Sequence, residues 1–302
     1  MNQNFADRLY RKVLERQCPC VVGLDPHLGA LPPEFEAVHD PGSTRRERAK
    51  AVEAFLCGII EAVADIVPAV KPQSAFFEVL GADGALVWEN VVKHAHQAGL
   101  LVVGDVKRGD IGSTAAAYAQ AFLTGEPGCD RETLCDCITV NPYLGSDSID
   151  PFLDACRQSG TGLYILVRTS NPSSAEFQAQ GEPPLMDRVA DAVVRWGSDL
   201  VGDCGYSSIG AVVGATHPAE LERLRARMPQ TPFLIPGYGA QGGAAKDLAG
   251  AFGPLFAGGL VNSSRGILFP ARQSGETYKD ASRRAAKAMA AEFRTLLSGS
   301  VA

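Results

Sequence analysis

The feature that most constrains this chain is a rhythm: eight short apolar runs rich in β-branched residues, separated by segments of helical periodicity. The runs are Cys20–Leu24, Val67–Val70, Leu100–Val103, Cys137–Val140, Tyr164–Val167, Ile209–Val213, Phe233–Ile235 and Gly259–Val261. Helical spacing is readable in Arg46–Ala64, Ala75–Ala98, Ala115–Leu123, Leu185–Ser198 and Pro218–Met228. An amphipathic helix opens the chain, and another over Tyr278–Leu297 nearly closes it. Runs that are apolar throughout, without alternation, suit strands covered on both faces, as in a parallel sheet with helices outside. Strand then helix, eight times, predicts an α/β fold, a (β/α)8 TIM barrel. A doubly wound sheet is the competing architecture, but no G-x-G-x-x-G follows an early strand, and the rhythm does not stop at five or six strands.

The excess length falls in loop candidates at 30–44, 124–133 and 170–184, and in a Ser/Gly-rich tail from Ser298. The chain therefore reads as one barrel domain over 1–302 with extended loops and a short flexible C-terminal tail. Hydrophobic residues at 46% against 21% charged exclude disorder as the main state. A net charge of -6 with no basic block argues against a nucleic-acid partner and leaves room for a local pocket for a small anion. No apolar run nears the ~18 residues of a membrane span, and the N-terminus lacks a signal-type apolar core, so a cytoplasmic protein without a membrane partner is expected. Eight cysteines with two Cys-x-Cys pairs and no Cys-x-x-Cys match neither zinc-ribbon nor thioredoxin spacing, which leaves reduced thiols and no metal.

Barrels build their active sites at the C-terminal ends of the strands, so the polar residues just after each run are the ones to weigh. They are Asp25; Lys71; Asp105 with Lys107 and Asp110; Asn141; Arg168 with Thr169 and Ser170; 237–243; and 262–265. Ionised groups converging on one mouth each need a partner. Strand alternation puts Asp105 and Lys107 on the same side, and Gly109 and Gly112 turn the chain so that Asp110 comes from a separate loop, holding a cation between carboxylates. A lone Asp-x-Lys is more often a structural ion pair; Asp110 and Lys71 are what favour function. The glycines after the seventh run let backbone N–H groups approach an anion, and Arg265 after the eighth would close the grip bidentately. A glycine-rich turn alone would be weak evidence. His27, His94, His96 and His217 pair with no nucleophile and read as structural or solvent-exposed.

The set Asp105-x-Lys107-x-x-Asp110-Ile111-x-x-Thr114, with Lys71, Asp25, Gly237-x-Gly239-Ala240-Gln241-Gly242 and Arg265, resembles the orotidine 5'-phosphate decarboxylases. The stretches 69–78 and 106–112 resemble the longer bacterial subgroup, and the likeness runs from about Cys20 to Gly266. The chain departs from shorter forms in Arg108-Gly109 inside the motif and in Gly112 where those often carry proline.

This resemblance implies metal-independent decarboxylation of orotidine 5'-monophosphate to UMP and CO2, the final step of de novo pyrimidine nucleotide synthesis, without a cofactor. Lys107 would be the proton donor to C6. Asp105 would position it beside the substrate carboxylate, and Lys71 and Asp110 would complete an alternating array of charges. The resemblance also gives Asp25 and Lys71 to the ribose, Ser170 to the pyrimidine edge with Thr169 as its competitor, Gln241 and Gly242 to the base and phosphate, and Arg265 to the phosphate. Asp110 and Thr114 would reach the ribose from the second subunit of a homodimer with shared sites, and Ile111 would also bind the substrate. Two alternatives stay open. A metal-dependent sugar-phosphate decarboxylase of the same superfamily would carry an acid where Lys71 stands, and a non-catalytic nucleotide-binding protein would lack Asp105 or Lys107.

Overall fold

The computed structural model describes residues 4–239 and 245–298. Eight parallel strands close in sequence order. They are β1 (Cys20–Leu24), β2 (Ala69–Pro72), β3 (Leu101–Arg108), β4 (Cys137–Val140), β5 (Gly162–Arg168), β6 (Ile209–Val213), β7 (Phe233–Ile235) and β8 (Gly259–Ser263). β8 returns to β1 through the pair Cys20 and Val261, which seals the barrel. The helices are α1 (Phe5–Arg16), α2 (Arg45–Val63), α3 (Ser74–Glu78), α4 (Gly81–Gln97), α5 (Gly112–Ala119), α6 (Ser146–Ser159), α7 (Ala175–Gln178), α8 (Leu185–Trp196), α9 (Pro218–Arg227), α10 (Arg265–Leu268) and α11 (Tyr278–Ser298).

The side chains of each strand divide between two apolar clusters. Val22, Val70, Val102, Ile138, Ile165, Val213, Phe233 and Val261 point outward and pack under the helices. Val21, Ala69, Leu101, Val103, Cys137, Tyr164, Val212, Leu234 and Leu260 point inward. Phe5, Leu9 and Val13 of α1 join the inner set, so the N-terminal helix plugs that end of the barrel. Two glycines make room inside the barrel, Gly162 of β5 for Phe5 of the plug and Gly210 of β6 for the Tyr164 ring that Phe5 packs on. A Cβ on Gly162 would fall 2.3 Å from the Phe5 ring, and one on Gly210 would fall 2.5 Å from the Tyr164 ring. With that end plugged by α1, the barrel mouth at the C-terminal ends of the strands stays open.

Three elements differ from the sequence expectation. Ala75–Ala98 is two helices, since Gly81 takes φ +57° and breaks the run between α3 and α4. The stretch expected to stay helical to Leu123 leaves α5 at Ala119 and finishes in a π-helical turn, Gln120–Thr124. Helix α6 was not expected. Its buried residues Ile149, Phe152, Leu153 and Cys156 keep helical spacing, but Pro151 and the flanking aspartates mask the pattern. All eight cysteines are free, and among the described residues no helix is long and apolar enough to cross a membrane.

Candidate active site

Toward the C-terminal ends of the strands the barrel interior opens on a floor to which each strand or the residue just after it contributes one side chain, with Val212 and Leu234 of the inner apolar layer among them. In strand order these are Asp25, Lys71, Asp105, Thr139, Leu166, Val212, Leu234 and Asn262, and all eight line one cavity of about 780 Å³. The floor is therefore divided. The arc from β8 through β4 is polar and charged, and the arc from β5 through β7 is apolar.

Asp105 is the hub of the polar arc. Its Oδ2 accepts from Lys71 Nζ at 2.6 Å and from Gln73 Nε2 at 2.9 Å. Its Oδ1 accepts from Lys107 Nζ at 2.5 Å and from Thr139 Oγ1 at 3.0 Å. Burial by itself would raise the carboxyl's pKa, but the charges and hydrogen bonds of the two lysines outweigh it and hold the group far below the usual carboxylate range. Lys71 is in the mirror situation. Burial would lower its pKa, and the carboxylates of Asp105 and Asp25 raise it instead, so the buried ammonium stays charged.

Lys107 does not sit on a regular strand. Its backbone takes φ +44°, a left-handed conformation that is costly for a residue with a Cβ. The β3–β4 pairing shifts register between Gly104 and Arg108, and the Lys107 N–H turns to Thr139 Oγ1 at 2.9 Å. The expected same-side placement of Asp105 and Lys107 is observed, but a bulge produces it where simple alternation was the reason given. Within the chain Asp105 lies between two ammoniums, and the cation that feels two carboxylates is Lys71, with Asp105 and Asp25, while Asp110, expected to flank Lys107, does not reach the cavity.

Around this hub the cavity wall carries unused polar valence. Asp25 Oδ1 and Asn262 Oδ1 are buried acceptors with no hydrogen-bond partner among the described residues, the condition expected of groups that wait for ligand hydroxyls. Thr169 is engaged: its hydroxyl meets Asn171 and Gln178, and its N–H donates to Gln178. No such bond occupies the Ser170 hydroxyl among the described residues, and Ser170 lines the same cavity. Arg265 stands on the rim without an ion pair among the described residues.

A sequence profile of the orotidine 5'-phosphate decarboxylase / HUMPS family matches residues 21–280. An orotidine 5'-phosphate decarboxylase of Rhodopirellula baltica is 45% identical over 271 residues, 88% of either chain. One from Deinococcus radiodurans is 42% identical over 270 residues, covering 89% of this chain and 90% of the relative. The structure of Leishmania donovani OMP decarboxylase superposes with a TM-score of 0.76 at 31% identity, covering 97% of this chain and 99% of that one. The chain belongs to the orotidine 5'-phosphate decarboxylase / HUMPS family.

Of the family motif residues named from sequence, the structure gathers Asp25, Lys71, Asp105, Lys107, Ser170 and Arg265 around one cavity. Asp110, Ile111 and Thr114 do not reach it within the chain. Asp110 Oδ1 instead accepts the N–H of Ile111 at 2.8 Å, and Ile111 is exposed. Gln241 and Gly242 lie outside the described residues. Two other strand-end candidates have structural work: Arg168 is buried in an ion pair with Glu220, and the Asn141 side chain accepts from the Tyr143 N–H. His27, read as structural or exposed, lines the cavity beside Phe76. Tyr238 lines it too, with its hydroxyl turned to Glu292. The sequence reading missed Thr139 and Gln73. The inward parity of β4 would have found the first, and the residue after β2 the second.

Proposed function

We infer that the chain decarboxylates orotidine 5'-monophosphate to UMP and CO2, the last step of de novo pyrimidine nucleotide synthesis, with Lys107 as proton donor to C6. The observation that carries this is Asp105 held between two ammoniums on the floor of a cavity whose rim carries an uncommitted arginine. When the bond from C6 to the carboxylate carbon breaks, its electron pair stays on C6 in the plane of the ring, poorly delocalised, and CO2 leaves. The Lys107 ammonium attracts that charge as it develops and then transfers a proton to C6, returning to the charged state from solvent. With 47% of its side chain exposed toward the cavity, Lys107 has the access this needs, whereas Lys71 is buried. Asp105 keeps both lysines charged. A substrate carboxylate ~4 Å from it at an effective dielectric of ~20 would be repelled by roughly 4 kcal/mol, which departure of CO2 relieves.

In this reading Asp25 and Lys71 serve the ribose, Ser170 the pyrimidine edge and Arg265 the phosphate, and Gln241 with Gly242, outside the described residues, would serve base and phosphate. The uncharged ring and CO2 suit the apolar arc. Asp110, Ile111 and Thr114 belong to the site of a second copy. Exposed Ile111, Tyr143 and Leu144 on the adjoining loops after β3 and β4 support that homodimer. Each copy is one barrel domain working without metal or cofactor on a small nucleotide, in the cytoplasm. The donor set agrees: ammoniums occupy both oxygens of Asp105, where a hard cation would need carboxylates.

The test is loss of the orotate absorbance when purified protein meets orotidine 5'-monophosphate, with and without a chelator. Equal loss in both is expected. No loss overturns the assignment, and loss that a chelator abolishes and Mg2+ restores returns the metal-dependent alternative.

A further inference from the structure

Asp105 is held by four donors, and three of them act on it alone within the hub. The fourth, Thr139, also holds Lys107. Its Oγ1 accepts the Lys107 backbone N–H at 2.9 Å and lies 3.0 Å from Asp105 Oδ1. A hydroxyl has one proton to give, and an ionised carboxylate can only accept, so the directions are set: Lys107 N–H to Thr139 Oγ1, and Thr139 O–H to Asp105. Thr139 is 1% exposed, so water does not compete for either bond.

The place of this bridge in the sheet gives it its meaning. Gly104 pairs with Ile138 and Arg108 with Val140, so β3 spends four residues where β4 spends two. The surplus is the bulge that carries Lys107 at φ +44°. A side-chain oxygen from the neighbouring strand takes the N–H there. We propose that Thr139 is a positioning residue for the decarboxylation. It fastens the bulge to the carboxylate, and so sets where the Lys107 ammonium stands over the floor. Without the hydroxyl, the bulge loses its tie and the backbone can relax toward an ordinary extended conformation, carrying Nζ away from the reacting carbon. The role rests on the decarboxylase reading.

The competing view is that Thr139 merely fills a β-branched strand position with its hydroxyl satisfied. Thr139→Val keeps the shape and removes both bonds, and Thr139→Ser keeps the bonds and removes a methyl group. With orotidine 5'-monophosphate, T139V should lose about tenfold or more in kcat, as for a lost hydrogen bond to a charged group. Its KM and its affinity for UMP should stay within about threefold of wild type, and T139S should recover most of the rate. In a Lys107→Ala background, T139V should change the residual rate little, because the residue it positions is gone.

Wild-type kcat in T139V overturns the proposal. Equal losses in T139V and T139S overturn it in favour of packing, and so does an undiminished loss in the Lys107→Ala background. Should circular dichroism show T139V unfolded, Thr139→Cys, of similar volume and a weak donor, takes its place against T139S with the same expectations. A wild type inactive on the nucleotide defeats the decarboxylase reading itself. An active wild type beside an indifferent variant defeats only the role of Thr139.

Discussion

The barrel has a buried carboxylate at each end, and the two differ in what their partners have left to give. At the plugged end Asp136 accepts from Arg8 of α1, from His96 Nε2 at 3.0 Å and from the Val102 N–H at 2.8 Å. Its partners are themselves tied down: Arg8 donates on to the Gly160 carbonyl, and His96 Nδ1 lies 2.7 Å from the Glu132 carbonyl. At the open end Asp105 accepts from Lys71 and Lys107, and Lys107 faces the cavity with donors to spare. Both acids are buried, and both are held below the usual carboxylate range although burial opposes it. The plugged-end network ties α1 and α4 to β3 and to the residue just before β4. The open-end network stops at an ammonium that, beyond its bond to Asp105, keeps donors free toward the cavity, and the proposed reaction rests on that difference.

The largest effect should come from removing it. Lys107→Ala should reduce kcat about a hundredfold or more while leaving UMP affinity nearly intact, because the side chain acts on C6 and not on the phosphate. A smaller loss would contradict the assigned proton donor. At the other end, Asp136→Ala should cost about 2 kcal/mol of stability, since it removes the acceptor of a half-buried guanidinium and imidazolium, yet spare kcat of the folded fraction. Chemical denaturation with an activity assay on the same samples measures both. A catalytic defect without destabilisation would erase the distinction between the two ends.

Arg265→Ala should lower kcat/KM for the nucleotide by about tenfold to a hundredfold and leave the phosphate-free nucleoside almost untouched. Equal losses on both would put Arg265 outside the phosphate site.

The smallest effect is a pH dependence at the plugged end. Both ring nitrogens of His96 face groups that only accept, so the ring is held as imidazolium. Burial opposes this, but Asp136 and the Glu132 carbonyl raise the pKa above its ordinary value. A group raised on folding stabilises fully below its unfolded value of about 6.5, and the contribution fades as pH rises through the folded value. His96→Gln should therefore be less stable than wild type at acidic pH, with the gap narrowing as pH climbs. A gap that widens instead would reverse the assigned charge of the ring.

The strands were legible because each is a compact apolar run with polar residues beyond it, and Asp25, Lys71, Asp105, Lys107, Ser170 and Arg265 were legible as those polar residues. What stayed hidden needed geometry that composition does not carry. Thr139 reads as one more β-branched strand former, and only the β3 bulge turns its hydroxyl into a bridge. Arg168 also follows an apolar run, but it closes β5, whose pairing with β6 shifts between Leu166 and Arg168, and its side chain meets Glu220 away from the cavity. Helix α6 was obscured by its own proline, and the division between α3 and α4 by a glycine inside an otherwise helical pattern.

Within one chain Lys71 is flanked by Asp25 and Asp105, whereas Lys107 has Asp105 alone, and Asp110, the acid proposed to reach it from a second copy, stands outside the cavity of its own chain. Lys107→Ala and Asp110→Ala homodimers should each be inactive. In a mixed dimer one site inherits both lesions, while the other takes Lys107 from one copy and Asp110 from its partner. With random exchange at equal amounts, half the dimers are mixed and half their sites are whole, so dissociating the two inactive variants together and reassembling them should restore about one quarter of wild-type activity. No recovery, where wild type survives the same treatment, would contradict the shared site and return Asp110 to its own subunit.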